Sequence, residues 1–562
     1  HCRRATAWIA SRFLLAPYGE RDTPASSPQG RVQEFSSWKP ARHPRHGHGR
    51  SGQDGVMAIL PLDSSNPFAA PSTLDYGLPP LDLIDVEHFR PAIMAGFAAQ
   101  RAEWEEIATQ TAEPTFANTV EALERAGELL SRTLHVFFVY TSSIGGDDLD
   151  AIAAEVAPLL SEHGDTFRLD ARLYARYEAI ASSGEELDGE SAWLLEQLTK
   201  DARRAGVALG ESDQARLRSL NSELTSLETL FGQQVVAGMQ AAAVAVTDPA
   251  QLAGLSERDL ASLARSATDR GSDAGHLVTL ILPTPQPILT DAVDRTLRAT
   301  VQDASTSRGT GVDPASDTRP TILKLARKRA ERAQLLGFPH HAAYVAADGT
   351  AGTSEAVMAM LNRLAPAAVR NARAEAVELQ AELDADLGEG VATLSAADWA
   401  FYSERVRRAR FDVDMAALRP YFELERVLVD GVFWTATQLY GITFVERHDL
   451  PTYADGMRVW EVRDADGSGM GLFLGDYHAR EGKRGGAWMT SFVNQSRLKG
   501  THAVVTNTLN VPRPPAGAPT LLTWDEVITT FHECGHVLHG LLSDVALPSL
   551  SGTAVPRDFV EY

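Results

Sequence analysis

The chain has 562 residues, enough for several ordinary domains or for one large fold. Hydrophobic residues make up 44% and charged residues 22%, as in soluble globular proteins. No apolar run reaches the roughly 18 residues of a membrane span. The formal net charge of -22 argues against nucleic acid or an anionic membrane as the main partner. Two cysteines, Cys2 and Cys534, form no disulfide framework, which fits a reducing cytosol.

The first 56 residues differ from the rest of the sequence. Residues 1–56 carry a net charge of +5, whereas residues 57–562 carry -27. They show no hydrophobic period, and Arg12 interrupts the apolar stretch Ala7–Pro17, which makes a poor signal peptide. We interpret residues 1–56 as a disordered tail or as sequence upstream of a start at Met57, and exclude them from the fold prediction.

Residues 57–235 are predicted to form an N-terminal helical region. Apolar residues recur at spacings of three and four in Pro91–Ala108, Thr119–Tyr140 and Ser191–Val235. Two candidate N-caps support this prediction: Thr115 precedes the second stretch, and Ser212 precedes the run Gln214–Phe231 within the third.

Residues 236–450 are predicted to continue the helical region. One short strand is expected at His276–Leu282, because a Pro-rich stretch ends an apolar run there. Helices are expected at Asp291–Gln302, Arg319–Leu336 and Ser354–Leu387.

Strand character becomes frequent only in residues 451–562. Met457–Arg463 and Met470–Gly475 flank the turn Asp464–Gly469 and predict a β-hairpin. We reject a calcium loop at this turn because the remaining ligands of an EF-hand loop are missing. A further strand, His502–Val511, precedes the last predicted helix.

That last helix is predicted to carry two histidines on one face. Thr523 and Glu526 form a capping box, so the helix should begin directly after Thr523 and continue to about Leu542. His532 and His536 are four residues apart, so both rings project from the same face one turn apart. This spacing lets them share one zinc ion at about 2.0–2.1 Å.

Two carboxylates complete the candidate site. Glu533 follows the first histidine, and from there it can take a proton from a metal-bound water. Glu561 stands 25 residues after His536, beyond a polar turn at Ser549–Pro556, and is the candidate third ligand. Two histidines and one carboxylate leave a fourth position open for water, which is the catalytic arrangement.

Three nearby residues are assigned to other roles. A straight helix cannot offer a third imidazole to the same ion, so His539 is predicted to support the ligands or to pack. Asp558, one turn before Glu561, either orients a ligand or is a solvated surface carboxylate. Cys534 points away from the histidine pair and is expected to be a buried, small apolar residue.

The motif region resembles a known family. Phe531–His539 (FHECGHVLH) is similar to the signature of the thimet-oligopeptidase family of zinc metallopeptidases, and Ser551–Glu561 resembles that family's third-ligand segment. The resemblance extends over nearly everything from Asn66 onward. Asn66–Phe68 and Gly485–Trp488 are most similar to the bacterial peptidyl-dipeptidase (dipeptidyl carboxypeptidase) branch, with the thimet and oligopeptidase A branches as competitors.

The resemblance implies a mainly α fold, a large helical ellipsoid with a deep substrate channel and a small β-sheet beside the HExxH helix. Residues 57–235 and 236–450 would form the channel walls, and residues 451–562 the catalytic region. It implies one Zn²⁺ per chain as cofactor, and Glu533 as general base and then proton donor. Short peptides would be the partners, digested in the cytoplasm by a monomer. Release of C-terminal dipeptides is predicted, with an endo-acting oligopeptidase as the alternative.

The resemblance also implies a chain cut short just after Glu561. Family members continue past this point, and their continuation supplies Tyr and His side chains that bind substrate and stabilise the oxyanion. An inactive zinc- or peptide-binding fragment therefore stays open as a different class of function. The substrate-binding residues are unknown, and the sequence does not decide whether Asp476, His478 and Arg480 line the channel.

Overall fold

The N-terminal part of the chain is helical. The computed structural model describes residues 62–280, 285–310, 315–411, 418–480, 482–511, 513–514 and 517–561, so the segment 1–56 lies outside the described residues. The helices of the first part are Val86–Thr109 (α1), Ala122–Arg125 (α2), Glu128–Ser143 (α3), Asp147–Arg168 (α4), Ala171–Ser183 (α5), Gly189–Ala205 (α6) and Glu211–Ala241 (α7). A π-helical turn, Ala117–Glu121, leads into α2.

Two predicted helical segments are each divided at a glycine. Gly127 and Gly206 adopt φ angles of 75° and 95°, which L-residues with side chains rarely adopt, so each glycine separates two helices. Thr115 is confirmed as a cap because its hydroxyl accepts the N–H of Asn118 at 3.1 Å. Ser212 as a cap is wrong, since α7 already begins at Glu211. The predicted boundary after residue 235 also lies inside α7, which continues unbroken to Ala241.

The middle of the chain adds more helices and one small strand pair. Its elements are Val244–Val246 (β1), Glu257–Asp269 (α8), His276–Val278 (β2), Pro285–Asp291 (α9), Arg295–Thr306 (α10), Arg319–Leu335 (α11), His341–Ala346 (α12), Ser354–Leu387 (α13) and Ala396–Phe411 (α14). The helix predicted at Ser354–Leu387 is confirmed, with the Thr353 side chain as its N-cap.

Two predictions in this part need correction. The predicted strand is shorter than expected, because β2 ends at Val278 where its antiparallel partner β1 begins; residues 281 and 282 lie outside the described part. The helix predicted at Asp291–Gln302 starts later than expected, at Arg295, and continues to Thr306. Asp294 accepts the N–H of Leu297 at 2.6 Å and so starts a new helix, α10, after α9 has ended.

The last part of the chain contains the larger sheet. Its elements are Leu424–Arg426 (α15), Trp434–Tyr440 (α16), Thr443–Glu446 (β3), Arg458–Arg463 (β4), Gly469–His478 (β5), Trp488–Val493 (β6), Ala503–Val511 (β7), Trp524–Leu541 (α17) and Arg557–Val560 (α18). The five strands lie in the order β3-β4-β5-β7-β6, with β5 and β7 parallel and the other pairs antiparallel. The predicted hairpin is confirmed as β4 and β5. The predicted boundary at 450/451 cuts through this sheet, because β3 precedes it.

Both faces of this sheet are covered. Leu472, Leu474 and Val504 belong to one core cluster with residues of α1 and α3. Phe473 and Val505, pointing the opposite way, pack with residues of α17. The fold is therefore mainly α, as predicted, with a small sheet between the N-terminal helices and the motif helix. Among the described helices, none has the length and apolar character to cross a membrane.

Candidate metal centre

The helix α17 starts at a well-formed cap. The Thr523 hydroxyl accepts the N–H of Glu526 at 3.2 Å, and the Glu526 carboxylate accepts the N–H of Thr523 at 2.7 Å. These reciprocal bonds satisfy two backbone donors that a helix start leaves without partners. The predicted capping box and helix start are confirmed. The cap fixes the residue at which the helix begins, before the histidines.

One face of α17 lies directly on the sheet. Val527, Cys534, Val537 and Leu541 are buried there. The close approach depends on Gly540, since a Cβ there would come within 2.7 Å of the Met489 methyl group. Burial raises the pKa of the Cys534 thiol to about 12, so Cys534 is a buried neutral thiol, as predicted.

On the opposite face of α17, His532 and His536 face the segment that carries Glu561. Their Nε2 atoms are 3.2 Å apart. The Glu561 Oε2 atom lies 3.2 Å from Nε2 of His532 and 3.4 Å from Nε2 of His536. The structure therefore brings together the three predicted ligands, including one that the sequence places 25 residues downstream.

The size of this triangle fits a zinc ion. Three atoms bound to one tetrahedral zinc at about 2.0–2.1 Å are about 3.3–3.4 Å apart. The three measured separations, 3.2, 3.2 and 3.4 Å, agree with that spacing. In the described part of the chain, this is the one group of three or more His, Cys, Asp or Glu side chains with ligand atoms within 4.8 Å of one another.

Contacts with the N-terminal helices hold the segment that returns to the site. The Ser549 N–H donates to the Glu124 carboxylate at 3.0 Å, and its hydroxyl donates to the same group. The Leu547 N–H donates to Glu190 at 2.8 Å. Glu124 is 4% exposed, and this burial raises the pKa of its carboxyl. The sequence contained no signal for either acidic partner, because both lie more than 350 residues away from the serine and leucine they bind.

The other predicted site residues occupy different positions. Glu533, which directly follows His532, is buried at 6% exposure. His539 lies outside the group of converging ligand atoms. Burial, and then the neighbouring His536, lower the pKa of His539. Asp558 accepts backbone N–H groups from Thr350 and Ala351 at 2.9 and 3.1 Å.

Asp476, His478 and Arg480 make contacts at the end of β5, and Arg480 joins this end of the sheet to α3. The Asp476 carboxylate pairs with Arg480 at 2.6 Å and with the buried Lys483 at 2.9 Å. Arg480 also donates to the carbonyl of Ser143 at 2.8 Å. His478 contacts the Thr520 hydroxyl at 3.0 Å. These contacts are structural. They hold the end of β5, a strand of the sheet on which α17 packs.

Comparison with known proteins agrees with this geometry. The pattern of peptidase family M3 matches residues 288–562. Dipeptidyl carboxypeptidase from Escherichia coli is 44% identical over 503 residues, which are 89% of this chain and 73% of the relative. The chain belongs to peptidase family M3. It is a metallopeptidase, and its resemblance to the thimet-oligopeptidase family is confirmed.

Further relatives place the chain within family M3. Dipeptidyl carboxypeptidase from Salmonella typhimurium is 42% identical over 505 residues, covering 89% of this chain and 73% of the relative. Oligopeptidase A from Salmonella typhimurium is 31% identical over 500 residues, covering 87% of this chain and 73% of the relative. This M3 chain is therefore more similar to the two dipeptidyl carboxypeptidases than to that oligopeptidase A.

Proposed function

We propose that this M3 peptidase is a zinc-dependent peptidyl-dipeptidase that releases dipeptides from the free C-termini of short peptides. The observation that carries the proposal is the triangle formed by His532, His536 and Glu561, whose sides of 3.2–3.4 Å match tetrahedral zinc. The two imidazoles and the carboxylate would hold one Zn²⁺ per chain and leave one position open.

The chain's own residues supply the proton transfers. A bound zinc ion would lower the pKa of a water molecule and polarise the peptide carbonyl. Glu533 takes the proton from the attacking water and then gives it to the leaving amine nitrogen, so one carboxylate serves first as base and then as acid. His532 and His536 are fixed one turn apart by α17, which is anchored at its cap and along its buried face.

The specificity rests on the comparison within the family. Identity to dipeptidyl carboxypeptidases is 44% and 42%, against 31% to oligopeptidase A from Salmonella typhimurium. An endo-acting oligopeptidase is the second candidate, because that 31% identity still extends over 87% of this chain. We further propose that the chain acts as a monomer in the cytoplasm, which light scattering and cell fractionation would test.

Peptides with free and blocked C-termini test the specificity. Pentapeptides of one sequence, with a carboxylate or an amide at the C-terminus, are incubated with the zinc-loaded protein, and the products are identified by mass spectrometry. The proposal expects dipeptide release from the free form and at least a tenfold slower reaction of the amide. Equal rates with internal cleavage would favour the endo-acting alternative. Zinc binding without hydrolysis of either peptide would favour the inactive zinc- or peptide-binding class.

A further inference from the structure

The segment that carries the third ligand makes one distant contact close to Glu561. Asp558 lies three residues before Glu561 on the short helix α18. Its Oδ1 accepts the N–H of Thr350 at 2.9 Å, and its Oδ2 accepts the N–H of Ala351 at 3.1 Å. These two amides belong to the loop 347–353 between α12 and α13, about 200 residues earlier in the chain.

The loop approaches Asp558 so closely because residue 349 has no side chain. A Cβ on Gly349 would lie 2.8 Å from Oδ2 of Asp558 and 3.1 Å from Oδ1. Gly349 is not among the glycines with positive φ, so its backbone could accommodate alanine. Alanine at position 349 would therefore disturb the Asp558 carboxylate by occupying its space.

The position of Glu561 depends on such a contact. A four-residue helix such as α18 does not hold its shape alone, because helix nucleation is unfavourable. The backbone N–H groups of Ala554, Phe559 and Val560 bond locally, to the carbonyls of Ser551 and Pro556. The Glu561 side chain itself is 57% exposed, so packing does little to fix it.

We propose that Asp558 latches the third-ligand segment to the loop 347–353 and so couples zinc affinity to the order of that loop. This inference rests on the proposed zinc site. Asp558 is then a positioning residue that acts through Glu561. Residues that orient metal ligands change metal affinity by about 10- to 100-fold when they are replaced. Because coupling is reciprocal, zinc binding must in turn hold the loop against Asp558.

Zinc affinities of a variant set test the latch. Chelator competition is run on the wild type, Asp558→Ala, Asp558→Asn, Gly349→Ala and the Gly349→Ala/Asp558→Ala double variant. The latch predicts about tenfold weaker zinc binding for Asp558→Ala and Gly349→Ala, with no further loss in the double variant, since both changes remove one contact. Asp558→Asn should be intermediate because its amide oxygen still accepts an N–H.

The design separates the latch from simple charge effects. Gly349→Ala changes no charge, so a pure charge effect of Asp558 would leave its zinc affinity at the wild-type value. That result, together with equal losses of zinc affinity in Asp558→Asn and Asp558→Ala, would overturn the latch. Gly275→Ala is the matched control, because a Cβ there meets nothing within 4 Å. Failure of the wild type to bind zinc would instead refute the proposed function, so the two failures are distinguishable.

Amide hydrogen exchange supplies a readout that is independent of activity. Zinc should slow exchange at Thr350 and Ala351 in the wild type by several-fold, and should leave both amides unchanged in Asp558→Ala. A wild type that binds stoichiometric zinc without any change at these two amides would overturn the proposal. Melting temperatures of the metal-free variants show whether each one is folded before its exchange is compared.

Discussion

Replacing Glu561 by alanine should weaken zinc binding by about two to four orders of magnitude. Apparent binding free energies for structural zinc sites at neutral pH are about 10–16 kcal/mol. Divided equally among three ligands, this range corresponds to about 3–5 kcal/mol for each of them. At about 1.4 kcal/mol for each factor of ten, losing one share corresponds to about 10²- to 10⁴-fold.

Competition with a chromophoric chelator measures this loss directly. Because the Glu561 side chain is 57% exposed, alanine opens no cavity, and the metal-free variant should melt at the wild-type temperature. Glu389→Ala is a matched control, since Glu389 is exposed and lies outside the ligand group. An affinity of Glu561→Ala within threefold of the wild type would refute the assignment of Glu561 as a ligand.

Three further predictions concern stability. Asp398→Ala should lower the free energy of unfolding by about 3–5 kcal/mol in urea titrations, because it leaves Arg298, 1% exposed, as an unpaired buried charge; a loss below about 1 kcal/mol would contradict this. Burial lowers the pKa of both His135 and His163 to about 4, so the unfolded chain binds more protons between about pH 6.5 and 4. Stability should therefore decrease by up to about 3 kcal/mol per histidine as the pH is lowered through that window. His135→Asn should reduce the slope of the free energy of unfolding against pH, and an unchanged slope would argue against a neutral His135 in the folded state. Thr523→Ala should cost about 1 kcal/mol by removing the cap of α17, whereas wild-type stability would show that the cap is dispensable.

Local signals predicted the site better than they predicted the architecture. The capping box at Thr523 and the hairpin of β4 and β5 are encoded within a few neighbouring residues, and both are confirmed. The four-residue spacing of the histidines is equally local, and α17 places their Nε2 atoms 3.2 Å apart. The helix Ser354–Leu387 has its predicted bounds, and its start is encoded locally by the Thr353 cap. The approach of Glu561 to the histidines was predicted from ligand chemistry and family resemblance, since no periodicity links residues 25 positions apart.

Long-range contacts account for what the sequence could not predict. The partners of Asp558 and Ser549 lie 208 and 425 residues away, and no local pattern marks Thr350 as the donor to Asp558 or Glu124 as the acceptor from Ser549. Helical periodicity also continued across Gly206, because one glycine costs a helix only about 1 kcal/mol and so does not by itself predict a break.

Zinc content and peptide hydrolysis, measured side by side for the wild type and Glu533→Gln, test the central claim most directly. The proposed site predicts one zinc per chain in both proteins, because Glu533 is not a ligand. It predicts a kcat lower by about 10²- to 10⁴-fold in Glu533→Gln, because the amide cannot take the proton from water. Equal turnover in the two proteins, or a wild type that hydrolyses peptides without zinc, would contradict it.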